Sequence, residues 1–182
     1  MQVVKEFLNG VFILTASPFN DDRGRFVKTY HVDIFKEFGF ETDWREEFYS
    51  KSKKNVVRGM HYQSSPKQHS KMVYCLQGRV LDVVLDIRNG SPTYGKHVSF
   101  EISDDGCEIV LIPPGFAHGF CALTDDAILQ YKVSTVYSPE HDMGILWSSF
   151  GCVWPTDRPI LSARDKQLPN FSDIGVPFHY GN

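Results

Sequence analysis

Apolar and polar positions change over quickly along this chain. Runs rich in Val, Ile, Leu, Phe and Tyr occupy Lys71–Leu76, Val80–Ile87, His97–Ile102, Glu108–Ile112 and Ala127–Val133. Turn formers punctuate them: Asn9-Gly10, Arg23-Gly24, Gln77-Gly78, Asn89-Gly90, Asp105-Gly106 and Pro113-Pro114-Gly115. Short runs bounded by turns predict strands, and many in succession predict an all-β sandwich or barrel. Gln77-Gly78, between two runs, reads as a tight hairpin. One segment departs from the pattern. Thr29–Phe40 carries Val32, Phe35, Phe38 and Phe40 near helical spacing, and Gly39 suits a helix end. It predicts one short helix covering the sheet. Prolines at 155, 159, 169 and 177 predict a C-terminal wrap with little regular structure.

Composition narrows the class. The 182 residues fit one domain, 1–182, with no repeat or linker. With 42% hydrophobic and 14% aromatic residues the chain can build a real core. A net charge of -3 argues against nucleic acid as a partner. No run approaches the ~20 apolar residues that cross a bilayer. Val11–Ala16 is too short for a signal sequence and Pro18 follows it. The expectation is a cytoplasmic protein with no membrane partner. Its cysteines (Cys75, Cys107, Cys121, Cys152) form no CxxC pair and read as buried thiols.

Two clusters could carry chemistry: Arg58-Gly59-Met60-His61-Tyr62-Gln63, and Pro113 through Phe120 around His118. Each sets a histidine at or beside a strand-like segment. Two histidines reaching one barrel interior make a polar pocket in an apolar surround; either alone also fits a hydrogen-bonded structural residue. Arg58, if interior, requires an anionic partner. A metal site is not expected. Pro113-x-Gly115-x-x-His118 resembles half of the cupin metal motif, but His61-Tyr62-Gln63 lacks the second histidine of the other half, and no glutamate follows His69 at a suitable distance.

Without a metal, such a pocket offers acid–base and electrostatic chemistry. His61 suits a general base near neutrality. Lys71 and Arg58 could stabilise an oxyanion. Tyr131 is either a proton donor or a half-buried strand aromatic. Asp165 either orients a histidine, as a triad carboxylate does, or is a surface turn residue.

The chain resembles the dTDP-4-dehydrorhamnose 3,5-epimerases from about Gly10 to Pro169. The resemblance is carried by Asp22-Arg23-Gly24, Arg58 to Gln63, Gln77 to Val83, Gly90 to Lys96, Ile112 to Phe120, Tyr131-Lys132, Ser138 to His141 and Trp154-Pro155. It implies a cupin-like jelly-roll barrel, a homodimer with strands crossing between subunits, no cofactor and no metal. It implies a nucleotide-diphosphate sugar as substrate, epimerised beside its 4-keto group. His61 is then the base with Asp165 as its partner, Lys71 stabilises the enolate oxygen and Tyr131 returns a proton from the opposite face. Arg23 and Arg58 would meet the pyrophosphate and His118 the sugar. Ser50, Asp142 and Arg164 fall at ligand-contacting positions.

Three departures bear on the base pocket. Lys28 stands where the family usually has Glu, Glu46-Glu47-Phe48 where it reads Gln-Asp-Asn, and Arg164 where Lys is frequent. A CDP- or GDP-linked hexose or heptose is therefore an alternative to a dTDP sugar. Two further readings are a sugar 3,4-ketoisomerase and a non-catalytic sugar-binding cupin. Tyr131 and Asp165 favour epimerisation over the first, and an acid–base pair is superfluous to the second.

Overall fold

A computed structural model describes residues 1–181. In chain order the strands are β1 (Gln2–Phe7), β2 (Val11–Thr15), β3 (Phe19–Asp21) and β4 (Gly24–Phe26), then helix α1 (Val32–Glu37), then β5 (Glu46–Ser52), β6 (Val57–Gln63), β7 (Lys71–Gln77) and β8 (Arg79–Asp86). There follow β9 (Arg88–Asn89), β10 (His97–Ser103), β11 (Glu108–Ile112), β12 (Phe116–Ala122), β13 (Ala127–Val133), β14 (Asp142–Gly144) and β15 (Phe178–His179). A six-stranded sheet, β1-β2-β11-β7-β13-β5, packs on a five-stranded one, β10-β8-β12-β6-β14. This is the expected all-β, cupin-like jelly roll. Among the described residues no helix is long and apolar enough to cross a membrane.

The period of two along each strand sorts side chains between the sheets. Val73, Cys75, Val110, Ile112 and Leu129 of the larger sheet meet Val80, Val84, Ile102, Phe116 and Phe120 of the smaller one. The outer face of the larger sheet carries Leu14, Met72, Tyr74, Ile109 and Leu111, and Phe35 of α1 seals it. The outer face of the smaller sheet is covered by the C-terminal wrap, where Trp147, Trp154, Leu161 and Phe171 pack on Val57, Tyr62, Val83 and Leu85. Cys75, Cys107 and Cys121 are buried and Cys152 half-buried, all as free thiols.

Two local expectations need correction. The helix spans six residues rather than Thr29–Phe40. Its N-cap, His31, makes no capping hydrogen bond. Gly39 enters the left-handed region at φ 72° and Phe40 folds its amide back onto the Phe35 carbonyl, so Phe38 and Phe40 lie past the helix end. Gln77-Gly78 does turn tightly, but β7 and β8 lie in different sheets, so it is a corner of the jelly roll and not a hairpin. The Gly78 amide donates to Asp104 Oδ2, which ties the corner to the turn after β10.

Gly59 fixes the approach of β6 to β12. Its φ is 133°, and a Cβ there would sit 2.5 Å from Gly119 Cα and 3.0 Å from the His118 carbonyl oxygen. Both positions are backbone and cannot swing aside. Gly59→Ala should therefore cost about 3 kcal/mol or more, read as a lower midpoint in urea unfolding at unchanged m-value.

Candidate active site

Between the sheets, at one end, lies a cavity of about 710 Å³. Its walls come from both sheets and from the wrap. On the smaller sheet His61 of β6 pairs directly with His118 of β12. On the larger sheet the inward positions of three neighbouring strands form two rows. Tyr131 lies between Val73 and Phe48, and Val133 between Lys71 and Glu46. Ser50 is one inward step along β5 from Phe48. Thus the histidines face Tyr131 and Lys71 from the opposite sheet.

The wrap supplies the carboxylate. Ile160 is laced to Asn55 and Val57 by backbone hydrogen bonds, which draws the segment over β6. Ser162 Oγ accepts the Asp165 amide and starts a single 3-10 turn, Asp165–Gln167. Asp165 is thereby buried, with Oδ1 2.7 Å from His61 Nε2. Burial works to raise its pKa, but the hydrogen bond and charge of His61, with help from Ser162 and Arg164, outweigh this and hold the carboxyl below its usual value. It is a carboxylate that accepts, so Nε2 carries the hydrogen and the Nδ1 lone pair is left to take a proton.

Lys71 reaches across from the other sheet. Its Nζ donates to the His61 carbonyl oxygen at 3.0 Å. Burial depresses this ammonium, against the opposing pull of Asp142 and Asp82, and its pKa falls to about 8. A cation needed in the cavity is then present below about pH 8 and lost above it. If Lys71 stabilises an anionic intermediate, kcat/KM should decline as pH rises through about 8, whereas Lys71→Arg should move that limb to higher pH. A flat profile to pH 10 for wild type would remove Lys71 from that role.

Tyr131 is held in the opposite sense. Burial raises its pKa, and the Ser50 hydroxyl 3.5 Å away only partly opposes this. The phenol therefore stays protonated across the neutral range. Phe48 stacks on its ring at 4.9 Å. His118 is 6.3 Å from it, ring centre to ring centre, and bonds through Nε2 to the fully buried Asp82 at 2.8 Å. Among the described residues no three His, Cys, Asp or Glu side chains converge as metal ligands do.

The cavity also gathers Arg58, Glu46, Asp142 and Arg164. Arg58 is exposed at the mouth, not interior, and among the described residues its guanidinium bonds only to Ser52 Oγ and the Lys51 carbonyl. It needs no buried anion and can receive one from solution. Arg164 pairs with Asp142 at 2.9 Å. Two expected residues are not among the lining. Arg23 sits at the exposed β3–β4 turn, paired with Asp21 at 2.6 Å, and Lys28 is exposed beyond β4. Sequence reasoning missed Gln63 and Ser162, which line the cavity, and took His69 only as a possible metal ligand; Tyr137 lines it as well. Gln63 was inside a quoted motif, but nothing in its type distinguished it from a surface amide.

Comparison with known proteins decides what this arrangement belongs to. A family model described as dTDP-4-dehydrorhamnose 3,5-epimerase matches residues 5–173. This chain belongs to that epimerase family. The dTDP-4-dehydrorhamnose 3,5-epimerase of Shigella flexneri is 40% identical over 176 residues, 95% of this chain and 97% of that protein. The dTDP-4-dehydrorhamnose 3-epimerase of Streptomyces niveus is 40% identical over 175 residues, 93% and 84% of the two chains. Among solved structures, the 3,5-epimerase of Legionella pneumophila in complex with dTDP-4-keto-L-rhamnose superposes with a TM-score of 0.94 at 30% identity, covering 100% of this chain and 99% of that one. As a member of this family the protein is an isomerase, an epimerase of nucleotide-linked 4-keto-6-deoxy sugars.

Proposed function

We propose that residues 1–182 form a single epimerase domain that acts without cofactor or metal on a dTDP-linked 4-keto-6-deoxy sugar, at C3 or at C3 and C5. One observation carries the division of roles. The His61–Asp165 pair and the protonated Tyr131 face each other from opposite sheets, with the Lys71 ammonium reaching between them.

The chemistry follows from that placement. A hydrogen on the carbon beside a ketone is weakly acidic, and its removal becomes feasible when the resulting charge has a fixed cation to meet. His61 Nδ1 takes the proton, and Asp165 stabilises the imidazolium. The C–H electrons move into the C3–C4 bond and the carbonyl pair onto the C4 oxygen, which Lys71 holds. Tyr131 then gives its phenolic proton to the same carbon from the other face. The phenolate and the imidazolium exchange protons with solvent to reset the site. Arg58 at the mouth meets the pyrophosphate, while His118, Ser50, Asp142 and Arg164 surround the sugar and nucleotide.

Glu46 and Phe48 favour a second reading of the nucleotide. Glu46 Oε2 already accepts the Tyr137 amide at 2.8 Å, and Phe48 lies flat on Tyr131. A carboxylate acceptor beside an aromatic ring suits a base with an exocyclic amino donor, as cytosine and guanine have, whereas thymine offers only its ring N3–H. Arg23 and Lys28 support a homodimer. They adjoin a hairpin whose Phe19 and Phe26 are 60% and 65% exposed. A second copy receiving that hairpin would gain both cations. A nucleotide-sugar substrate supports a cytoplasmic location.

Incubation with dTDP-, CDP- and GDP-linked 4-keto-6-deoxy sugars, with products read by NMR, tests this reading. The dTDP sugar should be converted fastest to a 3- or 3,5-epimer. A 3-keto product would mean ketoisomerisation, and binding without turnover a carbohydrate-binding cupin.

A further inference from the structure

The direction in which the Tyr131 hydroxyl points decides which face of the sugar it can serve, yet that hydroxyl is held only loosely. The Ser50 oxygen lies 3.5 Å from it, at the outer limit of a hydrogen bond. Packing must therefore fix the phenol. Val73, fully buried, flanks the ring on one side, and the His118 ring meets it at 67° from the smaller sheet.

The other side is closed by Phe48. The two residues are direct partners between β13 and β5, with their rings 4.9 Å apart and 15° from parallel. β5 ends its sheet, so no further strand of that sheet stands beyond Phe48. Phe48 is accordingly 48% exposed, whereas Tyr131 behind it is only 8% exposed. Its neighbours in the same inward row, Glu46 and Ser50, are polar. A large apolar ring half in water gains little from its own burial. Among the described residues its one stacking partner is the phenol.

We propose that Phe48 is a positioning residue for the acid: it clamps the Tyr131 ring against Val73, so that the hydroxyl stays aimed into the cavity and shielded from water at the sheet edge. The proposal rests on the epimerase reading of the cavity. Stacked aromatic pairs hold one another more firmly than their buried area alone implies. Reactive groups displaced by about 1 Å can lose much of their rate. The hydrogen bonds that anchor His61, Asp165 and Lys71 do not involve Phe48. Loss of the clamp should therefore weaken proton delivery more than proton abstraction.

The test follows inversion and exchange in one incubation. Full-length Phe48→Leu and Phe48→Tyr are given saturating dTDP-4-keto-6-deoxyglucose in heavy water. Inverted product is compared with deuterium entering unconverted substrate. Leu keeps apolar bulk and removes the flat ring; Tyr keeps the ring. The ratio of inversion to exchange should fall roughly 10-fold in the Leu variant and stay within about twofold of wild type in the Tyr variant. KM should rise in the Leu variant, because Phe48 also borders the nucleotide, but the ratio read at saturation does not depend on it. A Leu variant with the wild-type ratio overturns the proposal, even if its overall rate falls. A Tyr variant with a ratio as low as that of Leu also overturns it. Should the Leu variant fail to fold, Phe48→Met takes its place with the same expected ratio and the same contrary results. Wild type that neither exchanges nor inverts refutes the epimerase reading instead, so the two failures are distinguishable.

Discussion

His61→Asn should abolish epimerisation and solvent exchange together, lowering both by about a thousandfold or more. Asn is close to the imidazole in polarity but cannot take a proton near neutrality. The change should spare the fold. Lys71 is anchored on the His61 backbone carbonyl rather than on its ring, so the ammonium stays in place. Asp165 keeps the Ser162 interaction that builds its turn. Far-UV circular dichroism and thermal unfolding should match wild type within a few degrees. Full activity in this variant would remove His61 from the role of base.

Tyr131→Phe should separate two events that wild type couples. His61, Asp165 and Lys71 are untouched, so abstraction and return of the proton on the same face continue and deuterium still enters from solvent. Net inversion should fall by about a hundredfold to ten-thousandfold, the usual worth of a positioned acid. The variant retains the ring, and with it the stack on Phe48 at 4.9 Å; only the hydroxyl and its contact with Ser50 are lost. Inversion at the wild-type rate would assign the acid to another group, and Tyr137 on the cavity rim would be the first to examine.

Legibility in the sequence followed physical environment. β10, β11 and β13 lie close to their predicted ranges because each is a short apolar run that turn residues bound. β5 was missed because its inward residues, Glu46, Phe48 and Ser50, face the cavity and not the apolar core, so alternation cannot reveal it. β6 and β12 are buried on both faces because the wrap covers one side of their sheet, which erases the period of two.

The site was readable where residue type and motif coincided, at His61, Lys71, His118 and Tyr131. Asp165 was ambiguous for a concrete reason. Its burial depends on a bridge between Val56 and Ile160, 104 residues apart in sequence, that no local pattern encodes. His69 was weighed only as a metal ligand, because nothing local in the sequence shows that it lines the cavity. Arg23 and Lys28 came from resemblance, and they lie outside the cavity, at the exposed β3–β4 turn and just beyond β4.

The central claim is a proton removed from one face and another delivered to the opposite face, with the carbonyl staying at C4. Incubating the wild-type enzyme with dTDP-4-keto-6-deoxyglucose in heavy water and reading product by NMR and mass tests it most directly. Each inverted carbon should carry one deuteron from solvent, with the ketone still at C4. Inversion that keeps the substrate's own hydrogen, or a carbonyl found at C3, would contradict it.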